Sequence, residues 1–334
     1  MSLAPSRLHD AHRTNSATWR MKLCASANKL VSMSTFTRSS LSGLLLAAAG
    51  AIAFSGKAII VKLSYRYGVD AVTIIMLRML FALPFFIALS IWAERQTNAR
   101  ENPLTKRDMV GIAALGFVGY YLSSYLDFLG LQYISASLER LILYLNPTLV
   151  VVLGWLIYKK PVQRIRMLAM AVSYSGVLLV FVHELSFTGT EVALGSALVF
   201  ASALTYAFYL LFSGQLVRRI GALRLVGLAT SVACICCILQ FLALRPLSAA
   251  DVPVQVLWLA LLNALLCTVA PVLMVMMAIE RIGAALTAQT GMIGPMATIT
   301  MGVLVLDEPL NLWIGAGTLL VVGGVFLVTK YGEK

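Results

Sequence analysis

An all-α membrane protein is the fold class that this sequence predicts, with ten transmembrane helices in an inverted repeat of five plus five. Composition is the first reason: 60% of the residues are hydrophobic and the mean hydropathy is +0.88, unlike a soluble domain. The second reason is that apolar stretches of about 18 residues or more recur along the chain, each long enough to cross a bilayer as a helix. The ten stretches lie at residues 42–63, 71–92, 109–130, 136–157, 165–183, 193–215, 225–244, 256–277, 284–306 and 312–329.

A repeat within the chain is the third reason, and it predicts how the helices are arranged. Residues Ile134–Val180 align without a gap with Ile282–Val328, a shift of 148 positions. The second copy begins five apolar stretches after the first, so it is inverted in the membrane, as in many secondary transporters. We expect a first five-helix repeat at 41–185 and a second at 186–330. The helix-breaking residues also coincide: Pro147 falls on Pro295, Gly154 on Gly302, Pro161 on Pro309 and Gly176 on Gly324.

The basic residues predict the orientation of the chain. Of the Lys and Arg residues that give the net charge of +12, fourteen follow the even-numbered stretches. The loops on the other side hold only Lys62, Arg66 and Arg245. This positive-inside bias predicts that both termini are cytoplasmic, and a bacterial inner membrane is the location we expect. Because the charge follows the loops, it predicts contact with membrane lipid and no nucleic-acid partner.

The first 40 residues differ in composition from the rest. They are polar and basic and contain a single acid, Asp10. We interpret them as a disordered cytoplasmic tail, or as a stretch upstream of a true start at Met21 or Met33. Their composition also overlaps with that of organellar transit peptides.

Cysteine and histidine give no sign of a metal, a cofactor or an enzyme. Four of the five cysteines lie in the seventh and eighth stretches, and none has metal-ligand spacing with a histidine. Two of the three histidines lie outside the stretches, and His183 is the last residue of the fifth. We therefore expect no cofactor, no metal site and no catalytic residues.

Paired helix breaks are expected in the fourth and ninth stretches. Pro147 and Pro295 lie near their centres, and Gly291 and Gly294 flank the second proline. A proline removes one intrahelical donor and pushes against the preceding turn. Symmetry-related broken helices are the best sequence indication of a transporter's substrate site. The alternative is that both prolines only bend packed helices.

These residues carry a resemblance to a known family. The second copy reads Ile282-Gly-Ala-Ala-Leu286, then Pro295, Gly302 and Leu306-Asp-Glu-Pro-Leu310, followed by the glycine-rich Gly315–Gly324. Over about 43–330 the chain resembles the ten-span EamA-type carriers of the drug/metabolite transporter superfamily. The resemblance implies a basket of helices around a central cavity and movement of small metabolites, often by export. The first copy departs from the pattern, because Lys160 stands where the family usually has an acid. The acid is therefore not needed in both copies, and we interpret its counterpart in the second copy, Glu308, as a structural residue.

Ionisable residues within the stretches are functional candidates, because charge at membrane depth is costly. All of them belong to the first repeat and should lie roughly 5–12 Å from the outer ends of their helices. One interpretation is a salt-bridge network that ties the first four helices together, with Lys57 and Arg140 reaching the outer headgroups. The other is a binding wall or gate, in which Asp127 or Glu139 exchanges a proton and Arg78 holds an anionic group. The five are Lys57, Arg78, Asp127, Glu139 and Arg140.

Uncharged candidates complete the predicted site. Tyr120 and Asp127 lie on one polar face of the third helix, because they are seven residues apart. Glu139 and Asn146 share a face of the fourth helix in the same way. In the second repeat we expect Tyr206 and Gln289 to contribute, with helices 1–4 and 6–9 lining the cavity.

The function that the sequence predicts is secondary transport. We expect efflux of a small, amino-acid-like or amphipathic metabolite by alternating access, with proton coupling as a hypothesis. The alternatives are a membrane scaffold or sensor that does not transport, and an integral membrane enzyme. The sequence does not define an oligomeric state.

Overall fold

The computed structural model describes residues 41–96, 103–159, 163–188 and 191–330. The predicted basic tail at 1–40 lies outside the described residues, and so does Lys160, the residue at which the first copy differs from the family pattern. Every regular element in the described part is helical, so the predicted all-α class is confirmed.

The described residues form ten helices. Eight are long and apolar enough to cross a membrane, and the chain also contains two shorter apolar helices, Gly294–Leu306 and Leu312–Leu327. The ten are α1 Leu41–Tyr65, α2 Ala71–Gln96, α3 Lys106–Gly130, α4 Ala136–Tyr158, α5 Arg164–Thr188, α6 Glu191–Ile220, α7 Ala222–Leu244, α8 Val254–Gly283, α9 284–306 and α10 Leu312–Lys330.

Polar caps begin several of these helices where the sequence leaves the apolar pattern. Thr105 and Asp108 form a capping box at the start of α3, which satisfies two backbone donors at once. Ser135 caps α4 by accepting a hydrogen bond from the backbone nitrogen of Leu138 at 3.0 Å. Such caps fix where a membrane helix starts, because its first N–H groups have no partner within the helix.

Both broken helices divide at the same points of the repeat. Helix α4 consists of Ala136–Leu143 and Asn146–Tyr158, and α9 consists of 284–291 and Gly294–Leu306. These bounds differ by the same 148 positions that relate the two sequences. The chain stops being helical just before each proline, so the prolines begin the second half-helices and do more than bend a continuous helix.

The repeat also places two π-helical segments in register. Phe117–Leu122 lies within α3, and Leu265–Val269 lies within α8. A π-helical turn inserts an extra residue and interrupts the regular backbone hydrogen bonds, and such turns often occur at functional sites. The two repeats therefore share their irregular backbone segments as well as their regular helices.

Helices α5 and α10 pack closely through small residues. A Cβ atom at Gly176 would lie 2.6 Å from the carbonyl oxygen of Gly317, and one at Gly324 would lie 2.6 Å from that of Ala169. Shifting Gly176 and Ala169 by 148 positions gives Gly324 and Gly317. The two contacts are thus one contact made twice, as expected of small residues that bring membrane helices together.

Polar links join the repeats at both ends of the bundle, which we call the Gly68 end and the Gly221 end after the loops that hold these glycines. At the Gly68 end Arg245 contacts Asp70 at 3.2 Å. Burial alone would raise the pKa of Asp70, but hydrogen bonds from Thr73 and the charge of Arg245 lower it overall. At the Gly221 end Arg219 contacts Asp108 at 2.7 Å. The positive-inside bias predicts that the Gly68 end lies at the outer face, and this orientation stays a prediction.

Candidate functional site

A cavity of about 320 Å³ lies between the two repeats and collects most of the predicted residues. We call it the central cavity. It is ionic toward the Gly68 end and aromatic near the middle of the bundle. Its described lining comes from α1–α4 and α6–α8, so α9 contributes no described lining residue, unlike the expectation for helices 6–9. The lining includes Phe54, Lys57, Arg78, Phe86, Tyr120, Ser123, Ser124, Asp127, Arg140, Tyr144, Asn146, Tyr206, Thr230, Cys267 and Thr268.

Lys57 is the centre of a buried ionic cluster. Its ammonium nitrogen lies 2.5 Å from a carboxylate oxygen of Asp127 and 3.5 Å from one of Glu139. Lys57 is 7% exposed and Glu139 is fully buried, so the lysine does not extend to the headgroups. The cluster joins α1, α3 and α4, whereas the network interpretation has ion pairs that tie all of the first four helices together. One carboxylate oxygen of Asp127 and both of Glu139 accept no hydrogen bond within the described part of the chain.

Arg78 has a different environment. Its guanidinium donates a hydrogen bond to the hydroxyl of Ser124 at 3.2 Å and lies 4.7 Å from the centre of the Phe128 ring. It is 4% exposed and forms no ion pair with any described carboxylate. Its Nε atom lacks a hydrogen-bond partner among these residues. A buried guanidinium held by a hydroxyl and a ring face keeps donors free for an anion.

Arg140 connects the cavity to the break in α9. Its guanidinium donates to the hydroxyl of Ser55 at 3.3 Å, and that hydroxyl donates to the backbone oxygen of Gly294 at 2.9 Å. The ring centres of Phe54 and Tyr144 lie 5.2 and 5.6 Å from Cζ of the same guanidinium. A Cβ atom at Gly294 would be 2.7 Å from Arg140 Nη2, so glycine is what admits the arginine here.

The two helix breaks meet directly. The hydroxyl of Tyr144, in the break of α4, donates a hydrogen bond to the backbone oxygen of Gly291, at the break of α9. Backbone carbonyls freed at membrane depth need a partner from protein or from water in a cavity. Tyr144 and Ser55 supply that partner for α9. Asn146, at the equivalent of Gly294, lines the cavity, and its side-chain oxygen has no partner in the described residues.

A tyrosine cluster forms the aromatic part of the cavity. Tyr120 and Tyr206 line it, and both rings pack against Tyr209 with centroids 4.9 and 5.6 Å apart. Tyr120 belongs to the π-helical segment of α3, and Thr268 occupies the equivalent position in α8. A Cβ atom at Gly119 would lie 2.3 Å from Tyr209 Cβ. The two π-helical segments therefore present their side chains to the cavity from opposite repeats.

The ionic part of the site has an excess of positive charge. Three cations, Lys57, Arg78 and Arg140, face two carboxylates, those of Asp127 and Glu139. Both carboxylates are in contact with Lys57, and neither arginine forms an ion pair with them at 4.0 Å or less. Buried charges of this kind need a partner, and an anionic group in the cavity would supply it. No group of three His, Cys, Asp or Glu residues suited to a metal occurs in the described residues.

Glu308 stabilises the start of α4. The sequence suggested a structural role for this residue but not its partners. One carboxylate oxygen accepts a hydrogen bond from the backbone nitrogen of Ala136 at 2.8 Å, and the other accepts one from the hydroxyl of Ser137 at 2.8 Å. A loop of the second repeat thereby caps the start of α4 in the first. On the same connection, Leu306 accepts a hydrogen bond from Arg66 at 2.8 Å. We call these contacts the Glu308 clasp.

The sequence pattern of the EamA-like transporter family matches residues 41–182 and again residues 193–330. The chain belongs to this family. As an EamA-like protein it is an integral, multi-pass membrane transporter, and the family resemblance predicted from its repeats is confirmed.

Relatives of this EamA-like chain are also named as transporters. It is 28% identical to the uncharacterized transporter YcbK of Bacillus subtilis (strain 168), over 87% of this chain and 92% of the relative. It is 25% identical to the uncharacterized transporter YyaM of the same organism, over 71% and 81%. A solved crystal structure with 16% identity has a TM-score of 0.59 and covers 87% of this chain and 97% of its own, which supports the fold alone.

The predicted site residues of this EamA-like protein fall into three groups. Lys57, Arg78, Tyr120, Asp127, Arg140, Asn146 and Tyr206 line the central cavity. Glu139 lies behind the lining, in contact with Lys57, and the breaks at Pro147, Pro295, Gly291 and Gly294 position the site. The side chain of Gln289 lies outside the described residues. That these residues bind substrate stays a prediction, as do the repeat boundaries at 41–185 and 186–330. Sequence reasoning missed Phe54, Phe86 and Thr268, which resemble ordinary core residues in the sequence.

Proposed function

We propose that the protein moves a small amphipathic solute that carries an anionic group, with amino-acid-like compounds as the first candidates. The observation behind this is the pair of buried arginines in the central cavity, Arg78 and Arg140, which no described carboxylate neutralises. A planar guanidinium binds both oxygens of a carboxylate at once. The aromatic side chains of Phe86 and Tyr206 line the opposite part of the cavity, where the apolar body of the solute would lie.

The proposed bound orientation follows from this division of the cavity. The anionic group points toward the Gly68 end, beside Arg78 and Arg140, and the apolar part points toward the tyrosines. An ammonium group on the solute would compete with Lys57 for Asp127. A zwitterion can therefore place its carboxylate beside the arginines and its ammonium beside Asp127, whereas a cation alone offers the arginines no partner.

Alternating access is the transport mechanism we propose, with the breaks in α4 and α9 as hinges. Half-helices can change their relative angle without losing their internal hydrogen bonds, because the connecting turn absorbs the change in φ and ψ. The direction we propose is export across a bacterial inner membrane, with both termini in the cytoplasm.

Proton coupling is part of the proposal and concerns Asp127 and Glu139. A proton on either carboxylate would weaken its contact with Lys57 and release the lysine to rearrange. If Asp127→Asn and Glu139→Gln both leave transport responsive to an imposed pH gradient, the coupling hypothesis is wrong.

Counterflow in vesicles containing the purified full-length chain tests the proposed function. Vesicles loaded with unlabelled L-phenylalanine or benzoate should accumulate the same labelled compound, and vesicles loaded with benzylamine should not. Arg78→Gln should raise the half-maximal concentration about tenfold to a hundredfold, as expected for a lost charged hydrogen bond. Arg78→Lys should recover part of it, since it keeps the charge and loses the planar fork.

Arg219→Gln is the matched control, because Arg219 pairs with Asp108 at the Gly221 end and does not line the cavity. It should leave counterflow unchanged. Counterflow of benzylamine but of no carboxylate would contradict the proposed substrate class. Counterflow of none of a wide metabolite panel would favour a scaffold or sensor.

A further inference from the structure

A second cavity of about 320 Å³ lies at the Gly68 end, and none of its lining residues lines the central cavity. It is formed by the end of α1, the turn between α3 and α4, and the connection between α9 and α10. The residues relevant here are Lys62, Arg66, Gln132, Leu306 and Glu308.

Two basic side chains from the end of α1 face this second cavity. Lys62 lies in the last turn of α1 and Arg66 directly follows the helix, and the backbone nitrogen of Arg66 donates to the carbonyl oxygen of Lys62 at 3.3 Å, so the two residues lie about one turn apart on the same side. Arg66 uses one nitrogen to hold the backbone oxygen of Leu306 at 2.8 Å, which leaves further donors of its fork free. Lys62 is half-buried and has no carboxylate within 4.0 Å in the described part of the molecule.

In the described part of the molecule, the acids near the second cavity form no ion pair with these cations at 4.0 Å or less. The charges of Glu308 and Glu184 still act on Lys62, but both carboxylate oxygens of Glu308 accept hydrogen bonds from Ala136 and Ser137 at the start of α4. Glu184 accepts hydrogen bonds from the hydroxyl and the backbone nitrogen of Ser135. Lys62 and Arg66 therefore keep donors available to a ligand.

Along α1, the second cavity lies nearer to the Gly68 end than the ionic part of the central cavity does. Lys62 follows Lys57 by five residues on α1, which is about 7.5 Å along the helix axis. Basic groups thus continue from Arg140 and Lys57 to Lys62 and Arg66, toward the Gly68 end. An anionic group that leaves the central cavity in this direction passes from one set of cations to the next.

We propose that the second cavity is a binding site for the carboxylate of the transported solute on its way between the central cavity and the Gly68 side. Lys62 and the free donors of Arg66 bind the carboxylate, and Gln132 lies at the rim. The assignment rests on the proposed transport function for its ligand. The electrostatic potential at this cavity depends on the fold and can be measured without transport.

The test places a cysteine at the exposed Gln132 of the full-length chain. The Gln132→Cys variant is labelled with two methanethiosulfonates of similar size, an ethylsulfonate (negative) and an ethyltrimethylammonium (positive). The ratio of their rates reports the local potential, and the chain without Gln132→Cys supplies the background from the native cysteines. Adding Lys62→Gln should lower the ratio about tenfold, because a charged cavity concentrates counter-ions.

Arg245→Gln is the control, since Arg245 is basic and at the same end but does not line the second cavity. It should leave the ratio unchanged. Benzoate should slow labelling by the sulfonate, and benzylamine should not. The proposal is wrong if Lys62→Gln and Arg245→Gln have equal effects, or if benzoate protects no better than benzylamine. Positive results here with no counterflow of any solute would refute the proposed function and leave the anion site in place.

Discussion

At the residue scale, Lys57 is the side chain on which the ionic arrangement depends. It contacts carboxylates from two other helices, Asp127 on α3 and Glu139 on α4. Removing one member of a buried ion pair leaves an uncompensated charge, whereas removing both can be nearly neutral. Lys57 therefore holds three helices of the first repeat together through charge alone.

We expect Lys57→Gln to lower the free energy of unfolding by about 3–5 kcal/mol, the usual cost of breaking a buried pair, because it leaves Asp127 and Glu139 without their cation. The double variant Lys57→Gln/Asp127→Asn should lose less than the sum of the two single variants. Thermal unfolding of the purified protein in detergent measures all three. Strict additivity would show that the two side chains do not interact in solution.

The residue scale also shows what the sequence could predict about the site. Charges at membrane depth are conspicuous, so Arg78, Asp127 and Glu139 could be selected without coordinates. Their partners could not, because whether a guanidinium meets a carboxylate or a ring face depends on how helices rotate against one another. Phe54 and Phe86 gave no signal, since an aromatic residue at a cavity and one in a core have the same composition.

At the element scale, the break in each of α4 and α9 is what distinguishes these helices from their neighbours. The prolines predicted where the breaks lie, because a missing donor has a local effect on the helix. The π-helical segments at Phe117–Leu122 and Leu265–Val269 were not predicted. No residue type marks such a segment, and its stability comes from the packing of neighbouring helices.

The Glu308 clasp can be tested through the glycine on which it rests. A Cβ atom at Gly302 would lie 2.8 Å from a carboxylate oxygen of Glu308, whereas one at the equivalent Gly154 meets nothing within 4 Å. Alanine favours a helix over glycine by about 1 kcal/mol. We therefore expect Gly154→Ala to raise the melting temperature and Gly302→Ala to lower it. Equal shifts in the two variants would show that the clasp contributes nothing.

At the scale of the whole molecule, the two repeats agree in backbone and differ in charge. The half-helices, the left-handed residues Lys159 and Asp307 and the π-helical segments all keep the same register. Among the described residues, the ions in and beside the central cavity all belong to the first repeat, whereas the buried Arg224 of the second repeat pairs with Glu94 at 2.8 Å. The acid of the clasp also lacks a counterpart, since Lys160 stands at the position equivalent to Glu308. The two ends of the bundle are therefore chemically unequal.

The predicted orientation can be tested with one cysteine at each end. Ser248 is exposed at the Gly68 end and Gln163 at the Gly221 end. We expect a membrane-impermeant maleimide to label Ser248→Cys in intact cells, and Gln163→Cys only after the cells are opened. The reverse pattern would place the termini outside and would contradict the positive-inside assignment.

The packing of α5 against α10 has a consequence for how such a protein acquires a new cargo. No described residue of either helix lines the central cavity, and their contact depends on glycine and alanine at backbone distance. Substitutions that reshape the cavity therefore fall on other helices and leave this contact intact. Related proteins can therefore change their substrate through single substitutions in the cavity, while selection preserves the contact between α5 and α10 separately.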